Sequence, residues 1–289
     1  MGCQMKYDGK LEKACIFSKQ KWDAIQDTQK VRILKSFEKE IASDLGIKKM
    51  PRLVFANILA NGNYEPRKNV LTLNKGMVLE GLKTVVRNVG MPNPNSNIDT
   101  LFALCHELEH VAQRQRVQGK IAWRTQDDQD GIAINLKAEA RNGMLPYING
   151  MAKAEHVYEL YRLQPAEYGA NQSALNEIRG LLGKYSLYCS NQDIKESTEK
   201  IEVTHLENET VLIFAKKLYP TSDIVQDISH CLQNMFAGTR YHVPLDLRQD
   251  VENACGASYR YMCSEQYMQR EALLKKEINY ELAKQEYER

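Results

Sequence analysis

The segment LFALCHELEHVAQ, residues 101–113, constrains the fold more than any other stretch of the chain. It sets His106 and His110 four residues apart, with Glu107 directly after the first. In a helix such a pair lies one turn apart on nearly the same face, so both imidazoles can address one point. Glu107 is rotated by about 100° from His106. The flanking sequence has helical spacing. Ile98, Leu101, Phe102, Cys105, Leu108, Ala112 and Val117 form an apolar stripe that runs until Gly119. Ser96 and Asp99 make an S-x-x-D pattern, which predicts a capping box at the start of this helix.

Each residue type in H-E-x-x-H has a chemical task. Two imidazoles one turn apart suit a single metal ion. Zinc acidifies a water to a pKa of about 7, and Glu107 takes its proton as the hydroxide attacks a carbonyl. The same acid then hands the proton to the departing amine. From a chain with six histidines, a chance match to the pattern is on the order of one in a hundred. Two histidines without partners on an apolar helix face would also cost burial energy. Glu109 reads as surface charge, and Cys105 as a core residue.

A catalytic zinc site takes three protein ligands and keeps one position open. The third ligand comes from a separate element, and Glu139, Glu155, His156, Glu159 and Glu167 are the candidates. Spacing does not choose among them. Glu167 has the best local context: it opens a helix after Pro165, and Gly169 and Ala170 on the next turn permit close packing against the motif helix. A carboxylate in a first turn also simply suits the helix dipole. Glu139, in KAEAR, likewise sets a carboxylate among small residues.

The rest of the chain reads as α+β and mostly helical. Val31, Leu34, Phe37, Ile41 and Leu45 give 28–45 a helical stripe that Gly46 ends. Two β-like runs follow, 52–58 and 69–74, and the turn-rich ANGNYEPRKN between them predicts an antiparallel hairpin with a long loop. A short helix is expected over 76–88, and TQDDQDG at 125–131 reads as an exposed loop. Helical spacing returns at 152–163 and 166–184, whereas 186–210 is polar and irregular. A boundary near 186–200 is expected, separating residues 1–185 from a helical C-terminal extension, 186–289. Leu273, Leu274, Ile278, Leu282 and Tyr287 are too irregular for sustained heptads, so the last helix is expected to pack on its own domain.

Composition excludes several classes of function. A net charge of +2 supplies no field to recruit nucleic acid or anionic lipid. Apolar runs such as VLIFA at 211–215 are too short to cross a bilayer, so no membrane is expected. The N-terminus has no apolar signal core, and Lys6 stands where a myristoylation signal has Ser or Thr. Seven cysteines without a C-x-x-C pair fit reduced thiols in a cytoplasmic protein.

HELEH at 106–110 followed by PAEYGAN at 165–171 resembles the gluzincin zinc metallopeptidases, in particular the ImmA/IrrE-like group, where an E-x-x-A-N segment completes the H-E-x-x-H helix. GNYEPRKNVLTLN at 62–74 is similar to that group's substrate-side strand. The resemblance covers roughly 28–184, through short motifs. It implies one Zn2+ held by His106, His110 and Glu167, with Glu107 as general base. It implies a small antiparallel or mixed sheet packed on the motif helix, with an extended protein or peptide substrate paired to an edge strand. The stretch between His110 and Glu167 is longer than in the smallest members, and nothing beyond about 186 matches. His156, Tyr158 and Tyr161 precede the Glu167 helix and are possible oxyanion donors, though they read first as ordinary amphipathic-helix residues. A zinc-dependent endopeptidase is the expected function; a catalytically silent zinc-fold binding or regulatory module is the alternative.

Overall fold

The computed structural model describes residues 9–58, 60–84, 91–124, 132, 136 and 165–203. The order is α1 (Gly9–Ala14), a 3-10 turn (Cys15–Phe17), α2 (Lys19–Ala24), α3 (Asp27–Asp44), β1 (Arg52–Ala56), β2 (Gly62–Glu65), β3 (Val70–Asn74), α4 (Lys75–Glu80), α5 (Ser96–Val117) and α6 (Pro165–Tyr185). A 3-10 turn (Ser186–Tyr188) and a further helix, α7, over 191–203 follow. The described residues thus form a mixed α+β fold, mostly helical, with one small sheet. None of these helices is long and apolar enough to cross a membrane.

The apolar spacing of α3 translates into burial: Leu34, Phe37 and Ile41 are fully enclosed, and Gly46, at φ +71°, takes the left-handed conformation that stops the helix. Val31 is only partly buried, and Ile33 is buried in its stead. The same core takes in Leu53 and Phe55 of β1, Leu71 and Leu73 of β3, and Leu101, Leu104, Cys105 and Leu108 of α5.

The sheet departs from the expected hairpin. Its order is β1-β3-β2, and β1 runs parallel to β3, from Arg52↔Val70 to Ala56↔Asn74. The antiparallel partner of β3 is β2, registered from Gly62↔Leu73 to Glu65↔Val70. The turn-rich stretch is therefore not one loop. It holds a short polar strand and then a four-residue turn ending at Asn69, whose φ of 53° is left-handed. With that edge of β3 taken, β1 can join only the other edge, and the connection through β2 brings it in parallel. Asn74 fixes the crossover: its amide donates to the carbonyls of Ile58 (2.6 Å) and Ala60 (3.2 Å), and its oxygen accepts the Met77 N–H to cap α4.

Three further expectations change. The helix placed over 76–88 ends within the described residues at Glu80, where Gly81 (φ +66°) turns the chain and Leu82 pairs with Pro92. The Ser96/Asp99 box does not form, because the helix starts one residue too early for Ser96 to cap it: Asn95 is the N-cap. Asn93 organises this corner, donating to Asp99 Oδ2 at 2.8 Å and accepting the Asn95 N–H at 3.0 Å. Residues 191–203 are helix, not irregular. Ser190 and Asp193 exchange backbone-to-side-chain bonds at 3.2 and 3.1 Å, a true S-x-x-D box. The helix then buries Ile201 in the main core, and Ser197 Oγ donates to the Phe17 carbonyl at 2.9 Å. At the other end Ile16, Phe17 and Trp22 are equally buried, so the core reaches past 28–184 on both sides. The helix expected at 152–163, the loop at 125–131 and everything from 204 onward lie outside the described residues.

Glu40 ties the N-terminal helices to α6. Its carboxylate accepts from Lys13 of α1, from Lys184, and from Tyr185 Oη at 2.7 Å. Burial would push this carboxyl up, but the bonds from Lys13, Lys184 and Tyr185 prevail and pull it down to about 2. Because the folded value lies below the unfolded one of 4.5, Glu40 stabilises the fold above that pH and loses its contribution as pH falls toward about 2. Glu40→Gln should therefore cost about 1–2 kcal/mol at pH 7. In denaturant titrations the gap between variant and wild type should close on acidification; a gap constant with pH would contradict the clasp.

Candidate metal centre

α5 carries the two histidines on the flank that faces α6. Their Nε2 atoms lie 3.0 Å apart, with ring planes nearly perpendicular at 85°. α6 crosses α5 at close range because the facing residues are small: Ala170 and Ala174 are fully buried. This crossing sets the first turn of α6 over the imidazoles. Glu167 Oε2 is 3.2 Å from His106 Nε2, and Oε1 is 3.3 Å from His110 Nε2. One ligating atom from each of the three residues falls within 4.8 Å of the others. Glu139, Glu155, His156, Glu159, Tyr158 and Tyr161 lie outside the described residues.

The donor set fits a divalent cation. Each ring turns its Nδ1 to a side-chain amide oxygen, His106 to Asn171 Oδ1 at 3.0 Å and His110 to Gln113 Oε1 at 2.9 Å. An oxygen there takes an N–H, so in the neutral rings the lone pairs sit on the Nε2 atoms. Those lone pairs and a carboxylate then converge, which is repulsive unless a positive charge stands among them. Tetrahedral ligands about 2.0–2.1 Å from zinc are about 3.3 Å from one another. The two Nε2 atoms at 3.0 Å, and a different Glu167 oxygen 3.2 and 3.3 Å from each, lie near that spacing. Electrostatics agrees. Burial disfavours charge on His110 and on Glu167, yet each partner outweighs it: Glu167 pushes His110 up, and the two imidazoles hold Glu167 well below the usual carboxylate range. The carboxylate thus favours positive charge beside it.

Glu107 does not join this group. It is buried at 7% exposure, against the beginning of β2. Burial raises its carboxyl above the ordinary value; His106 and His110 draw it partly back, and Glu167 adds to the rise. Such a carboxylate is a better proton acceptor than one in water.

Four residues around the site were not singled out by their position in the sequence. Glu109, expected at the surface, is 3% exposed. It pairs with Arg116, accepts from Ser173 Oγ of α6 at 2.8 Å and lies 3.4 Å from Arg124. It faces α6, so it fastens the two helices that carry His106, His110 and Glu167; Arg116, two turns later on the same face, is the signal in the sequence. Gln113 and Asn171 orient the imidazoles. Asn171 stood in the E-x-x-A-N segment, one turn after Glu167, whereas Gln113 had only its i+3 spacing from His110. Gly62 falls both in the turn-rich ANGNYEPRKN and at the start of the strand-like 62–74 segment. Its role is steric: a Cβ there would sit 2.7 Å from Glu107 Cγ and 3.0 Å from its Oε1.

Gly62→Ala should therefore displace Glu107 and cost about 1–3 kcal/mol in stability. Gly180→Ala, on an exposed stretch of α6 with nothing within 4 Å of the new carbon, should instead add about 0.5–1 kcal/mol. Equal effects of the two in chemical denaturation would contradict the close approach of β2 to Glu107.

Compared with protein-family models, with curated proteins and with solved structures, the chain matches none.

Proposed function

We propose that the protein is a zinc-dependent endopeptidase of the gluzincin kind, acting on a protein or peptide. The observation that carries this reading is the convergence of His106, His110 and Glu167 with both ring tautomers preset, beside a separate buried carboxylate on Glu107. His106, His110 and Glu167 would hold the ion. Zinc so held supplies Lewis acidity, polarising a carbonyl and acidifying water.

The chain's own residues do the rest. Glu107, adjacent to one ligand but outside the set, takes the proton of the attacking water and returns it to the leaving amine. Its burial keeps bulk water from competing for that proton. The substrate strand has a natural berth on β2. The Asn74 N–H bonds the Asn61 carbonyl at 2.9 Å, which fixes the alternation: 61, 63 and 65 address β3, and Gly62 and Tyr64 turn their amides and carbonyls outward, where the Tyr64 N–H donates to the Glu107 carboxylate. Among the described residues no strand covers that outer edge. An extended peptide adding there passes beside Glu107, whose side chain packs against the bare Cα of Gly62.

Elemental analysis of the purified full chain should find one zinc, absent from His106→Ala and Glu167→Ala. Glu107→Gln should retain the metal and lose at least about 100-fold in cleavage of a peptide library, since an amide accepts no proton. A protein that takes up no zinc on reconstitution, or a Glu107→Gln variant as fast as wild type, would falsify the assignment. Zinc bound without cleavage under any condition would favour a silent binding module.

A further inference from the structure

Gln113 is a fully buried amide whose two ends are both engaged, and by different helices. Its Nε2 donates to the Ala166 carbonyl in the first turn of α6 at 2.8 Å, and its Oε1 lies 2.9 Å from His110 Nδ1. The orientation of this amide is not free. A backbone carbonyl only accepts, so the NH2 end must face Ala166, and the oxygen is left for the ring. The ring must then present Nδ1–H, which puts the lone pair of the neutral imidazole on Nε2, toward His106 and Glu167. Ala166 is also the residue directly before Glu167. One side chain therefore fixes the proton position on one expected ligand and the height of the backbone that carries another.

We infer that Gln113 is a positioning residue that couples the tautomer of His110 to the α6 first turn through its own amide, so that zinc affinity depends on the acceptor this side chain presents to the ring. This rests on the metal-centre reading above. A buried glutamine that merely bridged two helices would contribute to stability alone. The two roles separate because Glu109 and Ser173 bridge the same helices without touching either imidazole.

The test compares three variants of the full chain by zinc competition against a chromophoric chelator, by the visible spectrum of the cobalt-substituted protein, and by thermal melting with chelator present. Gln113→Leu removes the acceptor and the donor; its zinc dissociation constant should rise about 10–100-fold and the cobalt bands should shift. Gln113→Glu keeps an acceptor for the His110 N–H but faces the Ala166 carbonyl with an oxygen. It should melt lower without metal, yet hold zinc within about threefold of wild type. Ser173→Ala should melt lower and leave both zinc affinity and cobalt spectrum unchanged. The inference is overturned if Gln113→Leu binds zinc like wild type, or if Gln113→Glu is weakened more than threefold. Should Gln113→Leu not fold, Gln113→Met, of nearly the same shape but without the amide, takes its place: zinc bound by it as tightly as by Ser173→Ala makes Gln113 a structural bridge only. If wild type takes up no zinc, the metal-centre reading fails and this one with it. If wild type binds one zinc and Glu167→Ala does not, that reading stands and the Gln113 variants judge the coupling by itself.

Discussion

Everything near the centre of this molecule depends on holding two imidazoles and a carboxylate about 3 Å apart out of water. Such a group does not stabilise a fold by itself, since desolvating it is costly unless the charges are complementary and the remaining polar atoms are bonded. The protein meets both conditions. Each Nδ1 has its amide oxygen, and the carboxylate faces two nitrogens. Small residues on α6 let the helix come close enough for those bonds to form, while Glu109 joins Arg116 of α5 to Ser173 of α6 in a second, polar line of contact.

The sheet serves the same centre from the other side. β3 is central and buried along its whole length, and β1 on its far edge is nearly so, whereas β2 is only partly covered. A hairpin would have paired β1 and β3 antiparallel, and chain order would have set β2 between them. Inserting β2 between them in sequence, but outside them in space, puts a short polar strand at the rim next to Glu107. A flat three-strand meander would have left that rim to a buried, apolar strand.

How much of this was legible depended on the range of the interaction. Helical periodicity located α3, α5 and α6, because burial repeats locally every three to four residues. The H-E-x-x-H spacing placed two imidazoles on one face for the same reason. Glu167 was reached by a motif, since nothing local distinguishes a ligand from a residue that suits the helix dipole. What escaped was set by distant partners. β2 has no apolar pattern, and its pairing is decided by β3. Ser96 and Ser190 carry the same S-x-x-D signature, and only the second caps, because Asn93 anchors the start of α5 first. Glu109 looked like any surface acid until α6 was laid over it.

The seating of α7 bears on how small a working version of this chain can be. Ser197 caps the carbonyl of Phe17, and Ile201 closes over the layer that contains Ile16, Phe17 and Trp22. A polypeptide cut after Tyr185 would lose Ile201 from that core and leave the Phe17 carbonyl without its partner Ser197. The segment that carries His106, His110 and Glu167 thus shares its core with residues that come after it in the chain.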